Sequence, residues 1–245
     1  MPSPTRRERL GALLAAVRRQ ADLLRADSSR VARAVGLGLL VAGVAAFLGV
    51  LDAVREMDDL ASLDTPVLEW LAAARSPVVT AVLTAVTTVF GPVVLPVLVG
   101  LGGLGWGLWR KEWWPVLLLL GAMLGSSAVA FTLKLVIARP RPALDSQLVP
   151  GLESTYSFPS GHTAGAATLA LVVAYLLWIR RPTPRSLVLW CVAAGVTVGV
   201  VALSRLYLGY HFVTDVAASV ALGVAVLGAV VLIDGRHGGA RRTSR

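Results

Sequence analysis

Apolar runs of about 18 residues or more recur along the chain, parted by short polar stretches. That spacing predicts helices long enough to cross a bilayer. The first span is expected from about Val31 to Leu51. An acidic stretch follows from Asp52 to Ser76, leading into a short helix near Pro66–Arg75. Residues 77–109 resist a single assignment. A straight helix there would be about 48 Å long, against a hydrocarbon core of roughly 30 Å. Gly91-Pro92 and Pro96 fall inside it, and proline kinks or ends a helix. The preferred reading makes 77–90 an interfacial or partly inserted lead-in to a second span ending near Trp109. A single tilted, kinked helix is the alternative. Further spans are expected at Pro115 to about Ala138, His162 to Ile179, Leu187 to Leu203 and Phe212 to Ile233. The pattern predicts an all-α polytopic membrane bundle of six transmembrane helices.

Before the first span, Leu10, Leu13, Leu14, Val17 and Leu24 recur at helical spacing among many arginines. Residues 6–33 therefore read either as an amphipathic helix lying on the membrane or as a solvated helix with a weak apolar stripe. The expected division is a basic segment over 1–30, a membrane domain over 31–233 and a basic tail over 234–245. No cleavable signal pattern precedes the first span, which is expected to act as its own anchor.

Composition agrees with this class. Hydrophobic residues make up 56% of the 245 and charged residues 15%, which excludes an ordinary soluble domain. The lone Cys191 lies in an apolar run and reads as a small core residue. A net charge of +9 would suit nucleic acid, so its distribution decides. Seventeen lysines and arginines fall in the termini and the 110–111 and 180–185 turns, against six in the alternate connections. The charge is thus a topology signal with both termini cytoplasmic, and no nucleic-acid partner is expected.

Three polar clusters interrupt the apolar sequence. They are Lys134-x6-Arg141-Pro142, Pro159-Ser160-Gly161-His162, and Ser204-Arg205-x5-His211-x3-Asp215. The predicted topology brings the ends of spans three and five and the starts of spans four and six to one outward face, so all three clusters can share a site. Lys134 alone could simply snorkel to the interface. Paired with Arg141 between two prolines, it suits phosphate oxygens. Arg139 could contact lipid headgroups or the site, and carries less weight. Ser160 and Gly161 fall at the start of span four, where free backbone N–H groups make an anion site. Ser160 can equally be an ordinary N-cap. His162 is either interfacial or a proton donor and acceptor. His211 and Asp215 share a helix face, so the carboxylate can fix the imidazole tautomer and leave the other nitrogen as a nucleophile. Arg205 adds a third cation. Metal ligation by the two histidines is the rival and lacks enough further ligands.

Together these motifs resemble the complete three-part signature of the type 2 phosphatidic acid phosphatase superfamily, shared with soluble vanadium haloperoxidases and glucose-6-phosphatase. The resemblance covers roughly residues 60–233. It implies a membrane-embedded lipid-phosphate phosphatase working at the outer interface, without metal or cofactor. His211 would be the nucleophile, Asp215 would orient it, and His162 would protonate the leaving group and then activate water. Lys134, Arg141, Ser160, Gly161 and Arg205 would hold the phosphoryl oxygens. Phosphatidic acid, phosphatidylglycerol phosphate and undecaprenyl diphosphate are the candidate substrates. Haloperoxidase chemistry, or a non-catalytic transport or lipid-binding role on the same scaffold, are the alternatives. Oligomeric state is not readable from the sequence.

Overall fold

A computed structural model describes the backbone of residues 6–149, 151 and 153–243, and the side chains of residues 30–58, 60–149, 151 and 153–237. Among these residues every regular element is helical. The eight α-helices are α1 (Arg6–Glu56), α2 (Asp64–Ala73), α3 (Pro77–Val89), α4 (Val94–Arg110), α5 (Trp114–Ile137), α6 (Gly161–Trp178), α7 (Pro184–Tyr207) and α8 (Val213–Thr243). Short 3₁₀ turns cover Asp59–Leu63 and Leu144–Ser146.

Among the described residues five helices are long and apolar enough to cross a membrane: residues 30–56 of α1, all of α5, α6 and α7, and residues 213–237 of α8. The bent pair α3–α4 makes up to six. The chain is a multi-pass membrane protein, and its outward apolar side chains, such as Leu48, Leu124, Val188 and Leu189, face lipid. Cys191 joins them. It is exposed on α7 rather than packed in the core, because an apolar helix in a bilayer turns as greasy a face outward as inward. Helix α1 runs without a break from the basic segment into the first span. The amphipathic reading of residues 6–33 depends mostly on side chains outside the described residues.

The ambiguous stretch resolves as two helices bent by 56° at Phe90–Val93, around Gly91-Pro92. Pro92 cannot donate to the α3 ladder, whereas Pro96 sits in the first turn of α4, where its missing N–H costs nothing. Helix α3 packs on α7 and α4 on α5, so the two halves lean on different partners.

Helix α8 is the axis of the bundle, flanked by α1, α5 and α6. Along α1 the approach is close enough that a Cβ added to Gly43 would lie 2.4 Å from the Ala225 nitrogen. Backbone contact of this kind favours small residues in lipid, where packing replaces the hydrophobic drive. Phe47 and Phe158, 5.5 Å apart, close the same core beneath the loop that leads into α6. The end of α5, the start of α6, the end of α7 and the start of α8 thus gather at one end of the bundle.

Candidate active site

Helix α8 begins at Val213, which puts Asp215 in its first turn. There the carboxylate Oδ2 accepts the Phe212 N–H at 2.9 Å, half of a capping box, and the positive end of the helix favours its charge. One turn back, His211 Nδ1 lies 3.2 Å from Oδ2. The Ser157 hydroxyl donates to the same oxygen and lies 3.4 Å from Nδ1. Oδ1 accepts from Arg139 Nη1 at 2.7 Å. Asp215 is fully buried and every contact is a donor to it. This set holds His211 with its proton on Nδ1 and its lone pair on Nε2.

Nε2 faces Arg141, whose Nη1 lies 3.3 Å away and can only donate. Arg141 is itself fixed by the carbonyls of Thr155 at 2.6 Å and Tyr210 at 2.8 Å. Burial lowers the His211 imidazole from 6.5 to about 4, more than Asp215 offsets, so it is neutral at physiological pH. The turn before it depends on Gly209, whose φ of +80° and contact with the Ser146 carbonyl leave no room for a side chain.

Arg205 is buried to 1% exposure. Its Nη1 donates to Thr87 Oγ1 of α3 at 2.6 Å, Nη2 pairs with Glu153, and the guanidinium lies 4.8 Å over the Tyr210 ring. Its Nε is buried with no protein partner. Lys134 Nζ donates to the carbonyls of Tyr156 at 2.5 Å and Ser157 at 3.4 Å. Its stem passes beside Gly161, where an added Cβ would be 4.0 Å from Cε. Ser160 is the N-cap of α6, accepting from Thr163. The N–H groups that open α6, at Gly161 and His162, have no acceptor within the helix. His162 lines a cavity of about 510 Å³ together with Arg205, Glu153, Thr87 and Thr155. All eight residues singled out from the sequence therefore lie at one end of the bundle.

Four further residues are built into the site. Glu153 bridges Arg205 and Arg141, the latter at 2.7 Å. Burial would raise its carboxyl, but the surrounding positive groups, Arg205 first, outweigh that and hold it at about 2. Arg139, read from the sequence as a headgroup or a site contact, is a contact of the site. It bridges Asp215 and Asp64, each at 2.7 Å. Asp64, the first residue of α2, also accepts the N–H and hydroxyl of Thr214 at 3.0 and 2.6 Å. Ser157 completes the set. The signal that could have pointed to Asp64 is its place at a helix start, shared with too many other acidic residues to stand out. Among the described residues, no three His, Cys, Asp or Glu side chains are grouped to hold a metal ion.

Comparison with known proteins bears on this geometry. A family profile, the PAP2 superfamily, matches residues 115–238. The chain is 34% identical over 180 residues to phosphatidylglycerophosphatase B of Bacillus subtilis, spanning 73% of this chain and 86% of that protein. It is 33% identical over 138 residues to decaprenylphosphoryl-5-phosphoribose phosphatase of Mycobacterium tuberculosis, spanning 56% and 67%. Among solved structures, a transmembrane PAP2-type phosphatidylglycerolphosphate phosphatase from Bacillus subtilis superposes with a TM-score of 0.70 at 32% identity, covering 80% of this chain and 96% of that one.

Proposed function

The chain belongs to the PAP2 superfamily, and from that premise we propose that it is an integral membrane lipid-phosphate phosphatase working through a phosphohistidine, without a metal ion. The observation that carries this is the His211–Asp215 pair, with the lone pair of Nε2 turned toward Arg141.

In the first step His211 Nε2 attacks phosphorus, the N–P bond forms, and the bond to the leaving oxygen breaks. His162 supplies the proton that the leaving oxygen takes. In the second step His162 accepts a proton from water, whose oxygen attacks phosphorus. The N–P bond breaks and inorganic phosphate leaves. Asp215 offsets the charge that the imidazole gains as the N–P bond forms. Arg141, the free Nε of Arg205, the remaining Lys134 proton and the N–H groups at the start of α6 hold the phosphoryl oxygens. Ser160 acts by capping that helix start.

The names of the relatives favour a terminal phosphate on a lipid headgroup, phosphatidylglycerol phosphate first. Phosphatidic acid and undecaprenyl diphosphate remain in the test panel. The charge asymmetry supports cytoplasmic termini and a site on the opposite side of the membrane, with residues 31–233 as the catalytic membrane domain flanked by basic segments. Purified protein in detergent with a chelator present is expected to release phosphate from at least one member of the panel. No release from any of them, or release that requires added metal, contradicts the proposal.

Two further outcomes follow. His211 must be neutral to attack, so its contribution to the acid limb of kcat/KM is expected near pH 4 instead of the ordinary 6.5. A pH profile from about 2.5 to about 9 with a small soluble phosphate ester, in wild type and Asp215→Asn, checks it. Asp215 raises the imidazole, so removing the carboxylate should move that limb to still lower pH. Glu153 places a carboxylate on the two guanidinium groups that would bind phosphate. Glu153→Gln is therefore expected to let orthovanadate inhibit at about tenfold lower concentration at low ionic strength. An unchanged inhibition constant would mean that Glu153 does not compete for the anion site.

A further inference from the structure

The α3–α4 elbow lies outside the 115–238 family match, yet it stands against the site. A Cβ built on Gly91 would lie 3.6 Å from His162 Nε2. The elbow is held in place by its own backbone: Gly91 N–H donates to the Thr88 carbonyl and the Gly91 carbonyl accepts from Leu95, both at 3.1 Å, closing α3 and opening α4. On the same wall Thr87 accepts from Arg205. The 510 Å³ cavity runs from His162 and Arg205 between the elbow and the loop around Leu148 to Thr155.

We propose that this cavity is the leaving-group pocket and that Gly91 sets the width of the group it accepts. The inference rests on His162 as the leaving-group acid. Attack by His211 requires the leaving oxygen on the far side of phosphorus, beside His162. Whatever that oxygen is attached to then extends along the elbow. Phosphoryl oxygens are served by the cations and by the start of α6, so the elbow is free to read the alcohol. Its lining is mostly apolar, with Pro92, Val93, Leu148 and Val149 along it, which suits the uncharged alcohol of a lipid. Thr84, Thr87, Thr88, Ser154 and Thr155 are interspersed along it, and its titratable residues are the site's own Glu153, His162 and Arg205. Gly91 is a specificity-determining position because any side chain there would enter the space between His162 and the alcohol.

The test compares kcat/KM for phosphatidylglycerol phosphate in mixed micelles with that for methyl phosphate, the smallest monoester. Gly91→Leu is expected to lower the lipid-to-methyl ratio by about tenfold or more, mainly through KM for the lipid, and Gly91→Ala by a smaller factor. Added bulk at Gly91 also presses on the Thr88 carbonyl, 3.0 Å from the built Cβ, so a second variant guards against misfolding. Thr84→Leu narrows the same cavity from an exposed position on α3 and is expected to lower the same ratio. An unchanged ratio in active Gly91→Leu and Thr84→Leu overturns the pocket assignment. Undiminished lipid turnover in His162→Ala instead overturns the assignment of the acid on which the inference rests.

Discussion

Replacing His211 by alanine is expected to lower turnover of any lipid phosphate by about four orders of magnitude or more. The residual rate would come from the cations and amides, which bind phosphate but offer no nucleophile. The expectation rests on how completely the surroundings of His211 are committed to it. Nδ1 is taken by Asp215, Asp215 is taken by Arg139, Ser157 and the Phe212 N–H, and only Nε2 is left toward the open site. Of the side chains beside His211, Arg141 is a cation and Ser157 already donates to Asp215, so neither can take over attack. The variant should fold, because the imidazole leaves only a small void next to a carboxylate that keeps three donors. Rapid acid-free quenching with a phosphorus-labelled substrate should trap a base-stable, acid-labile phosphoryl group on wild type and none on His211→Ala. Near-normal turnover by the variant would remove the phosphohistidine from the mechanism. Stable labelling of the variant would move the nucleophile to another residue.

Most residues that the sequence made visible share one property: they are polar where the surrounding positions are apolar. Lys134 stands near the end of a greasy helix, His211 and Asp215 four apart at the start of another, and Ser160 to His162 directly before a third. A membrane helix exacts a high cost for such residues, so their presence is informative. Asp64, Glu153 and Ser157 have no such contrast. They lie in polar connections, among Asp58, Asp59 and Glu69 or among Ser154, Thr155 and Tyr156, where one more polar residue carries little information. Their partners are distant in sequence as well: Asp64 meets Thr214 across 150 positions and Ser157 meets Asp215 across 58. Arg139 was visible but ambiguous, because an arginine at a membrane boundary has an ordinary explanation. The elbow at Gly91-Pro92 was legible as a break. Its partners were not, since periodicity says that α3 and α4 are apolar and nothing about which helix each meets.

Asp64→Ala is expected to destabilise the protein by about 3 kcal/mol and, in the fraction that remains folded, to lower kcat by about a hundredfold. Asp64 is 4% exposed and accepts three hydrogen bonds, from Arg139 and from the nitrogen and hydroxyl of Thr214. Its removal strands a buried guanidinium nitrogen and two buried donors at the start of α8, and an unpaired buried charge is what makes breaking such a pair expensive. The catalytic loss has a separate cause. Arg139 is held from two sides, Asp64 and Asp215, and without Asp64 it can swing or draw Asp215 away from His211. The imidazole then loses its fixed tautomer, and misplacement of a reacting nitrogen by a fraction of an ångström is costly. Asp64→Asn separates the two effects. The amide oxygen can still accept from Thr214 while the charge opposite Arg139 is gone, so more stability than activity should return. Thermal unfolding in detergent and kcat on the same preparations measure both. Lowered stability with unchanged kcat would confine Asp64 to holding α2 against α8. A loss in both quantities, partly restored by asparagine, is what a positioning chain from Asp64 through Arg139 and Asp215 to His211 requires.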